Sequence, residues 1–260
     1  MIPKTIHYCW FGKNPKPKLA QKCIKSWKKN CKDYEIIEWN EDNFDISSAP
    51  LYVRQAYKAQ KWAYVTDYVR LKIIYDNGGI YLDTDVQVIK PLNIFLKYKA
   101  YFGFEEIKYV NTGLGFGAEK NLKLIKEIMD QYEDIAFIKE DGSIDNLTCP
   151  IRNTEVFKRH GLVQNGETQY LDDDVIVFSS EYFCPISYET LEKTITKNTH
   201  SIHWFGASWQ SQEEKKEHKY KIKLQKREQR KDCIIHFPNR VFLKLLGEKR
   251  YNKVKQRIKK

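Results

Sequence analysis

Gly78-Gly79-Ile80-Tyr81-Leu82-Asp83-Thr84-Asp85 is the stretch on which the fold turns. Asn77-Gly78-Gly79 closes a long helical pattern running from about Val53 to Asp76, since glycine takes the left-handed backbone that a helix C-terminus needs. Ile80-Tyr81-Leu82 is then a short apolar strand, and Asp83 and Asp85 emerge at its end, where an open α/β sheet holds its ligand. Paired carboxylates suit Mg²⁺ or Mn²⁺ rather than zinc, and such an ion could clamp a diphosphate and neutralise the charge that develops as it leaves. An isolated Asp-x-Asp is more often a solvated acidic turn. The strand context and the partners Asp67, Arg70 and His203 reverse that preference.

Upstream, Lys4-Thr5-Ile6-His7-Tyr8-Cys9-Trp10-Phe11 is β-branched and aromatic and stops at Gly12, which reads as a buried strand and its exit turn. Leu19, Ala20, Cys23, Ile24 and Trp27 then recur at helical spacing with lysines between them, and Tyr34 to Trp39 reads as a second strand. Strand, helix and strand at this pitch imply an α/β fold with a mainly parallel central sheet of the nucleotide-binding kind. Further strands are expected at Tyr101 to Phe104, Gly113 to Phe116 and Val175 to Phe178, with a helix over about Leu122 to Phe137. After Trp209 the composition shifts to Glu, Lys and Gln, so 1–212 reads as the site-bearing domain and 213–260 as a basic helical extension.

On a helical wheel Lys58, Lys61, Lys72 and Asp76 form a narrow solvent stripe, while Asp67 and Arg70 lie on the far side near Ala63 and Ile74. Charges in that position need a partner or a ligand; spaced three apart, the two can pair with each other or hold a bound group, and the wheel leaves both open. Near the C-terminal edge of the body come His200 and then His203-Trp204-Phe205-Gly206-Ala207-Ser208-Trp209. A neutral imidazole can complete a metal site begun by two aspartates, and Trp and Ser groups can cover a bound phosphate or sugar. In isolation His203 would read as a hydrogen-bonded packing residue.

With 42% hydrophobic and 14% aromatic residues in 260, the chain has material for a substantial core, which excludes disorder throughout. No apolar run approaches the roughly 18 residues of a membrane span, and the start lacks a signal-peptide layout, so a cytoplasmic location is expected. The net charge of +11 is uneven: residues 1–212 carry 27 Lys and Arg against 28 Asp and Glu, and 213–260 carry 18 against 6. The tail is therefore a separate electrostatic object suited to an anionic surface. The six cysteines lack metal or redox spacing and read as free buried thiols.

Taken together, Ile2 to Gly12, Thr66-Asp67-Tyr68-Val69-Arg70, Gly78 to Asp85 and His203 to Trp209 resemble glycosyltransferase family 32. That family holds bacterial capsular-polysaccharide transferases and fungal mannosyltransferases, and is related to the glucosyltransferase domain of large clostridial toxins. The motifs span most of 1–210 in the expected order; the tail is not covered. The resemblance implies a GT-A fold, a nucleotide-sugar donor, a divalent cation and transfer with retention of anomeric configuration. It assigns Asp85 to the metal directly, and Asp83 to the donor ribose or sugar and to the metal through water. Trp10 would stack on the base while the backbone around Cys9 reads its edge. Asp67 and Arg70 would hold the hydroxyls of the transferred sugar, with Tyr81 helping to orient it. His203 falls where related retaining enzymes put a late metal ligand, with Ser208 as the competing candidate. Trp209 would close over the diphosphate, and Asn111-Thr112-Gly113 would face donor sugar and acceptor.

The expected reaction is thus glycosyl transfer from a UDP-sugar, or a GDP-sugar as second choice, to a hydroxyl of a growing surface glycan. An aspartyl-phosphate phosphatase also places Asp-x-Asp at a strand end, but it usually wants Thr or Val two positions after the second Asp, where Gln87 stands. A basic nucleic-acid module is the non-enzymatic alternative, and the body lacks the aromatic-basic interleaving of single-strand readers; no nucleic acid is expected. In the tail, Val241, Phe242, Leu245 and Leu246 share a helical face ringed by Lys and Arg, which reads equally as a peripheral membrane contact, suited to a lipid-linked glycan acceptor, or as a helix packed on the body.

Overall fold

The computed structural model describes residues 1–206 together with 213, 216, 217 and 220–224. It has a main unit that holds 1–188 and 192–206, and a second that holds 189–191 and the described residues from 213 on. In the second unit 213, 216, 217 and 220–224 are helical, with Lys221 paired to Glu217 at 2.8 Å. The tail pattern at Val241 to Leu246 lies outside the described residues.

The main unit runs β1 (Thr5–Cys9), α1 (Lys18–Asn30), β2 (Glu35–Trp39), α2 (Leu51–Lys58), α3 (Trp62–Asn77), β3 (Gly79–Tyr81), β4 (Val86–Val88), β5 (Ala100–Glu105), β6 (Tyr109–Val110), β7 (Phe116–Ala118), α4 (Lys123–Asp130), α5 (Cys149–Arg159), β8 (Gln169–Leu171), β9 (Val175–Phe178) and β10 (Ser201–His203). An eight-stranded sheet has the order β2-β1-β3-β7-β5-β9-β8, with β6 on β5. Strands β2, β1, β3, β5 and β9 run one way, and β7 and β8 run against them, so the sheet is the mainly parallel α/β one expected. Side chains alternate between its two faces. Along β5, Phe102 and Phe104 join one apolar cluster with Leu71 and Phe157, while Tyr101 joins another with Trp27 and Phe178.

A small second sheet joins parts of the chain that are far apart in sequence. β4 pairs antiparallel with β10, setting His203 opposite Val86. The buried face of α1 holds β4 from the other side: Trp27 Nε1 donates to Val86 O at 2.7 Å, Asn30 Nδ2 to Val88 O at 2.9 Å, and Val88 N to Ser26 Oγ at 3.0 Å.

Three sequence expectations need correction. The helical pattern from Val53 to Asp76 is two helices, because the chain closes a turn after α2: Gln60 takes a left-handed φ of 56° and Lys61 N donates back to Ala56 O at 2.9 Å. Gly113 to Phe116 is not a strand throughout; Thr112–Leu114 is a 3-10 turn capped by Asn111, and β7 begins at Phe116. The helix expected to reach Phe137 ends at Asp130, and α5 was not anticipated, since its buried side chains include Arg152, Asn153 and Thr154. The five described cysteines are free and buried, as expected. Among the described residues no helix is long and apolar enough to cross a membrane.

Candidate active site

The chain leaves β3, an interior strand between β1 and β7, at its C-terminal end. Leu82 N still donates to His7 O at 3.0 Å, and Val86 N then donates to Asp83 O at 2.9 Å, closing a tight turn over Thr84 and Asp85. Because β4 is clamped between α1 and β10, this turn sits where β10 delivers His203, whose Nε2 lies 3.3 Å from Asp85 Oδ1. One ligand atom each from Asp83, Asp85 and His203 falls within 4.8 Å of the others. Gly206 N donates to Oδ2 of the Asp85 carboxylate at 2.8 Å, and Trp204 N donates to the Asp85 main-chain carbonyl at 3.1 Å, so both side chain and backbone of Asp85 are held.

Asp83 is tied in the opposite direction. Tyr81 OH donates to its Oδ1 at 2.8 Å, and Arg70 Nη1 lies 3.5 Å from its Oδ2. Arg70, 3% exposed, also reaches Asp67 Oδ1 through Nη2 at 3.0 Å and donates through Nε to Thr66 O at 2.8 Å. Of the two readings of the Asp67–Arg70 spacing the pairing is present, and the guanidinium extends it to Asp83. The loop Asn111-Thr112-Gly113 closes on the same place, since a Cβ on Gly113 would stand 2.6 Å from Asp83 Oδ2 and 3.1 Å from Arg70 Nη1.

The electrostatics follow from burial and crowding. Burial pushes the Asp83 carboxyl up to about 6, against the pull of Arg70 and with a further push from Asp85. Asp85 stays below its ordinary value despite burial because His203 and the Gly206 amide stabilise its charge. His203 is raised well above its ordinary value, Asp85 outweighing burial. The Cys184 thiol beside it adds to the rise. Two carboxylates and an imidazole nitrogen crowded beyond the end of β3 are a donor set that fits a divalent ion, whose charge would take over from a proton on His203.

Among the described residues, the other expected ones lie outside the Asp83–Asp85–His203 cluster. Trp10 donates through Nε1 to Asn14 O at 2.7 Å and borders a cleft of about 230 Å³ with Glu38, Asn40 and Lys16, the Lys16 Nζ lying 5.6 Å from its ring centroid. Cys9 turns its thiol into the core, where burial pushes it up to about 12, so only its backbone can meet a ligand. Asn111 is buried beside Gly113. Ser208 and Trp209 lie outside the described residues. A larger cleft of about 540 Å³ lies between Glu41 to Ser47 and Tyr57, away from the paired aspartates.

Sequence reasoning missed Glu105, which ends β5 and hydrogen-bonds Asn111, and Thr66, which holds Arg70. The signal for Glu105 was available: a carboxylate at the end of an apolar strand, the same sign that marked Asp83.

Residues 17–101 match the family described as "Glycosyltransferase sugar-binding region containing DXD motif". The segment takes in α1 to β4 and so includes Asp67, Arg70, Tyr81, Asp83 and Asp85, in agreement with the resemblance read from the separated motifs and with its glycosyltransferase class. "Inositol phosphoceramide mannosyltransferase 3" of Schizosaccharomyces pombe (strain 972 / ATCC 24843) is 33% identical over 107 residues, a match that covers 38% of this chain and 29% of that protein. Among solved structures, the PaToxG glycosyltransferase aligns over 61% of this chain and 69% of its own at 20% identity and a TM-score of 0.46. A glycosyltransferase involved in glycosylation of the major capsid of PBCV-1 aligns over 82% and 97% at 17% identity and a TM-score of 0.44. Scores at this level transfer no chemistry.

Proposed function

We propose that this chain, which carries a DXD-type sugar-binding region, is a divalent-cation-dependent retaining glycosyltransferase that takes a sugar from a nucleotide-sugar, UDP-linked first and GDP-linked second, to a hydroxyl of a growing surface glycan. The observation that carries the reading is the convergence of Asp83, Asp85 and His203 beyond the C-terminal end of β3, joined through Arg70 to Asp67. Mn²⁺ or Mg²⁺ held by Asp85, His203 and Asp83 would stabilise the charge of the departing diphosphate. The protein's own part is positioning. Arg70, locked by Thr66, Asp67 and Asp83, holds the Asp67 and Asp83 carboxylates in place for the sugar hydroxyls, while Tyr81 fixes Asp83 from a second side. Trp10 offers a ring face for the base at the neighbouring strand end. Retention needs same-face attack or an enzyme nucleophile, and we assign no nucleophile.

The name of the yeast relative supports a lipid-linked acceptor, and the net +12 of residues 213–260 supports contact with an anionic membrane at its cytoplasmic face. The test is a screen of UDP- and GDP-sugars with and without Mn²⁺, reading nucleoside diphosphate release. One donor should be hydrolysed only with the metal, and Asp85→Asn should abolish it. Release from none of them, or release indifferent to metal, would sink the assignment.

A further inference from the structure

We propose that Glu105 is a positioning residue that holds the Asn111–Gly113 loop against the Asp83–Arg70 pair, a role that rests on the glycosyltransferase reading for its consequence but not for its geometry. The β5–β6 hairpin pairs Glu105 with Tyr109 and Phe104 with Val110, and Asn111 N then donates to Gly103 O at 3.2 Å. Glu105 and Asn111 are thereby diagonal neighbours on one face, within reach of each other's side chains. Asn111 Nδ2 donates to Glu105 Oε2. The other end of the same carboxamide accepts from Gly113 N at 2.6 Å and from the Cys149 thiol at 3.9 Å.

This pattern fixes which way the carboxamide points. Turned over, Asn111 would aim its amino group at the Gly113 amide, donor against donor, and its oxygen at a carboxylate, acceptor against acceptor. Glu105 is therefore the group that selects the orientation in which Asn111 can hold Gly113. The consequence reaches the site because Gly113 has no slack: a single added carbon would meet Asp83 Oδ2 at 2.6 Å. On its far side the loop is tied to α5, where Asn153 Nδ2 donates to Thr112 Oγ1 at 3.1 Å and Val110 N to Thr154 Oγ1 at 2.8 Å. The Glu105 tether is the only charged one among these contacts. Glu105 is not one of the three clustered metal-ligand candidates, though its charge lies within reach of His203, and its hydrogen bond runs to the loop.

The test compares Glu105→Gln, which keeps an acceptor for Asn111, with Glu105→Ala, which does not. In ¹⁵N-labelled full-length protein, Glu105→Ala should shift or broaden the Asn111 side-chain amide and the Gly113 backbone amide, and Glu105→Gln should leave both near their original positions. Mn²⁺ alone, titrated by electron paramagnetic resonance, should bind both variants within twofold of the parent. With UDP-glucose and Mn²⁺ as the assay pair, kcat should fall at least tenfold in Glu105→Ala and less than threefold in Glu105→Gln. The role is overturned if the Asn111 and Gly113 signals stay put in Glu105→Ala, if Mn²⁺ affinity drops tenfold, or if Glu105→Gln loses as much turnover as Glu105→Ala with its signals unmoved. Glu105→Asp, one methylene short, replaces the alanine variant if that one does not fold. Should the parent turn over no UDP-glucose, that failure belongs to the donor assignment, and the amide signals still decide the role of Glu105.

Discussion

Arg70 is the residue around which the site is arranged. Its three nitrogens serve Thr66, Asp67 and Asp83, and its guanidinium lies 5.2 Å from the Tyr81 ring centroid. A lysine has the charge but neither the fork nor the planar face, so it can serve one of these partners and strand the others. Arg70→Lys should therefore cut donor hydrolysis about 100-fold while costing about 1–3 kcal/mol of stability for a buried partner left unsatisfied. A denaturant titration beside the kinetics would show it, and near-parent turnover would mean that charge alone suffices. Metal affinity separates the other side of the site. His203 contributes one nitrogen to a cluster in which Asp85 is held by two backbone amide contacts, so His203→Ala should weaken Mn²⁺ binding by about 10–100-fold, and Asp85→Ala should abolish it. Equal affinity in parent and His203→Ala would remove the imidazole from the ligand set.

At the scale of elements, strand ends were readable because their chemistry is local. Ile80-Tyr81-Leu82 followed by two aspartates states both the strand and its exit, and the double glycine is required: Gly79, at a φ of 103°, would put a Cβ 2.8 Å from Thr5 O. What could not be read was set by partners distant in sequence. β10 pairs with β4 across more than a hundred residues, and only that pairing brings His203 to Asp85; α5 buries polar side chains and so shows no clean apolar stripe. His7 illustrates how such long-range contacts give an element its pH response. On β1, its Nδ1 accepts from Trp39 Nε1 at 3.0 Å and its Nε2 lies 3.1 Å from Gly78 O, so the neutral ring with hydrogen on Nε2 ties β2 to the glycine turn before β3. Burial lowers its pKa to about 4, against 6.5 for the exposed group. The unfolded chain therefore takes a proton that the fold refuses. Stability is full above about pH 6.5 and falls as pH drops toward 4, by about 3 kcal/mol in all. Chemical denaturation at pH 7 and pH 4.5 should show an acid loss about 2–3 kcal/mol smaller in His7→Gln than in the parent. Identical slopes would place the acid sensitivity elsewhere.

Across the whole molecule, charge is divided more sharply than a body-and-tail split suggests. Residues 1–32 hold 9 lysines and no Asp or Glu, and 33–212 hold 18 Lys and Arg against 28 acids, so the near-neutral sum over 1–212 hides two opposed parts. Lys18, Lys22, Lys25, Lys29 and Lys32 recur every three or four residues and are exposed along α1 and its exit, on the side opposite Trp27, whose indole bonds β4. None of the five has an ion pair among the described residues; Lys22 lies over the Trp204 ring at 5.4 Å. If the chain works against an anionic bilayer, as proposed from its tail, this row should add to the attraction, each lysine near the surface contributing about 1 kcal/mol before screening. In the full-length protein, Lys18, Lys22, Lys25 and Lys29 changed together to Gln should lower binding to phosphatidylserine-containing vesicles at least tenfold at 0.1 M salt. At about 0.5 M salt, where the Debye length has shrunk, parent and variant should converge. Vesicles of phosphatidylcholine alone should bind neither. Unchanged affinity in the variant at low salt would confine the membrane contact to residues beyond 212.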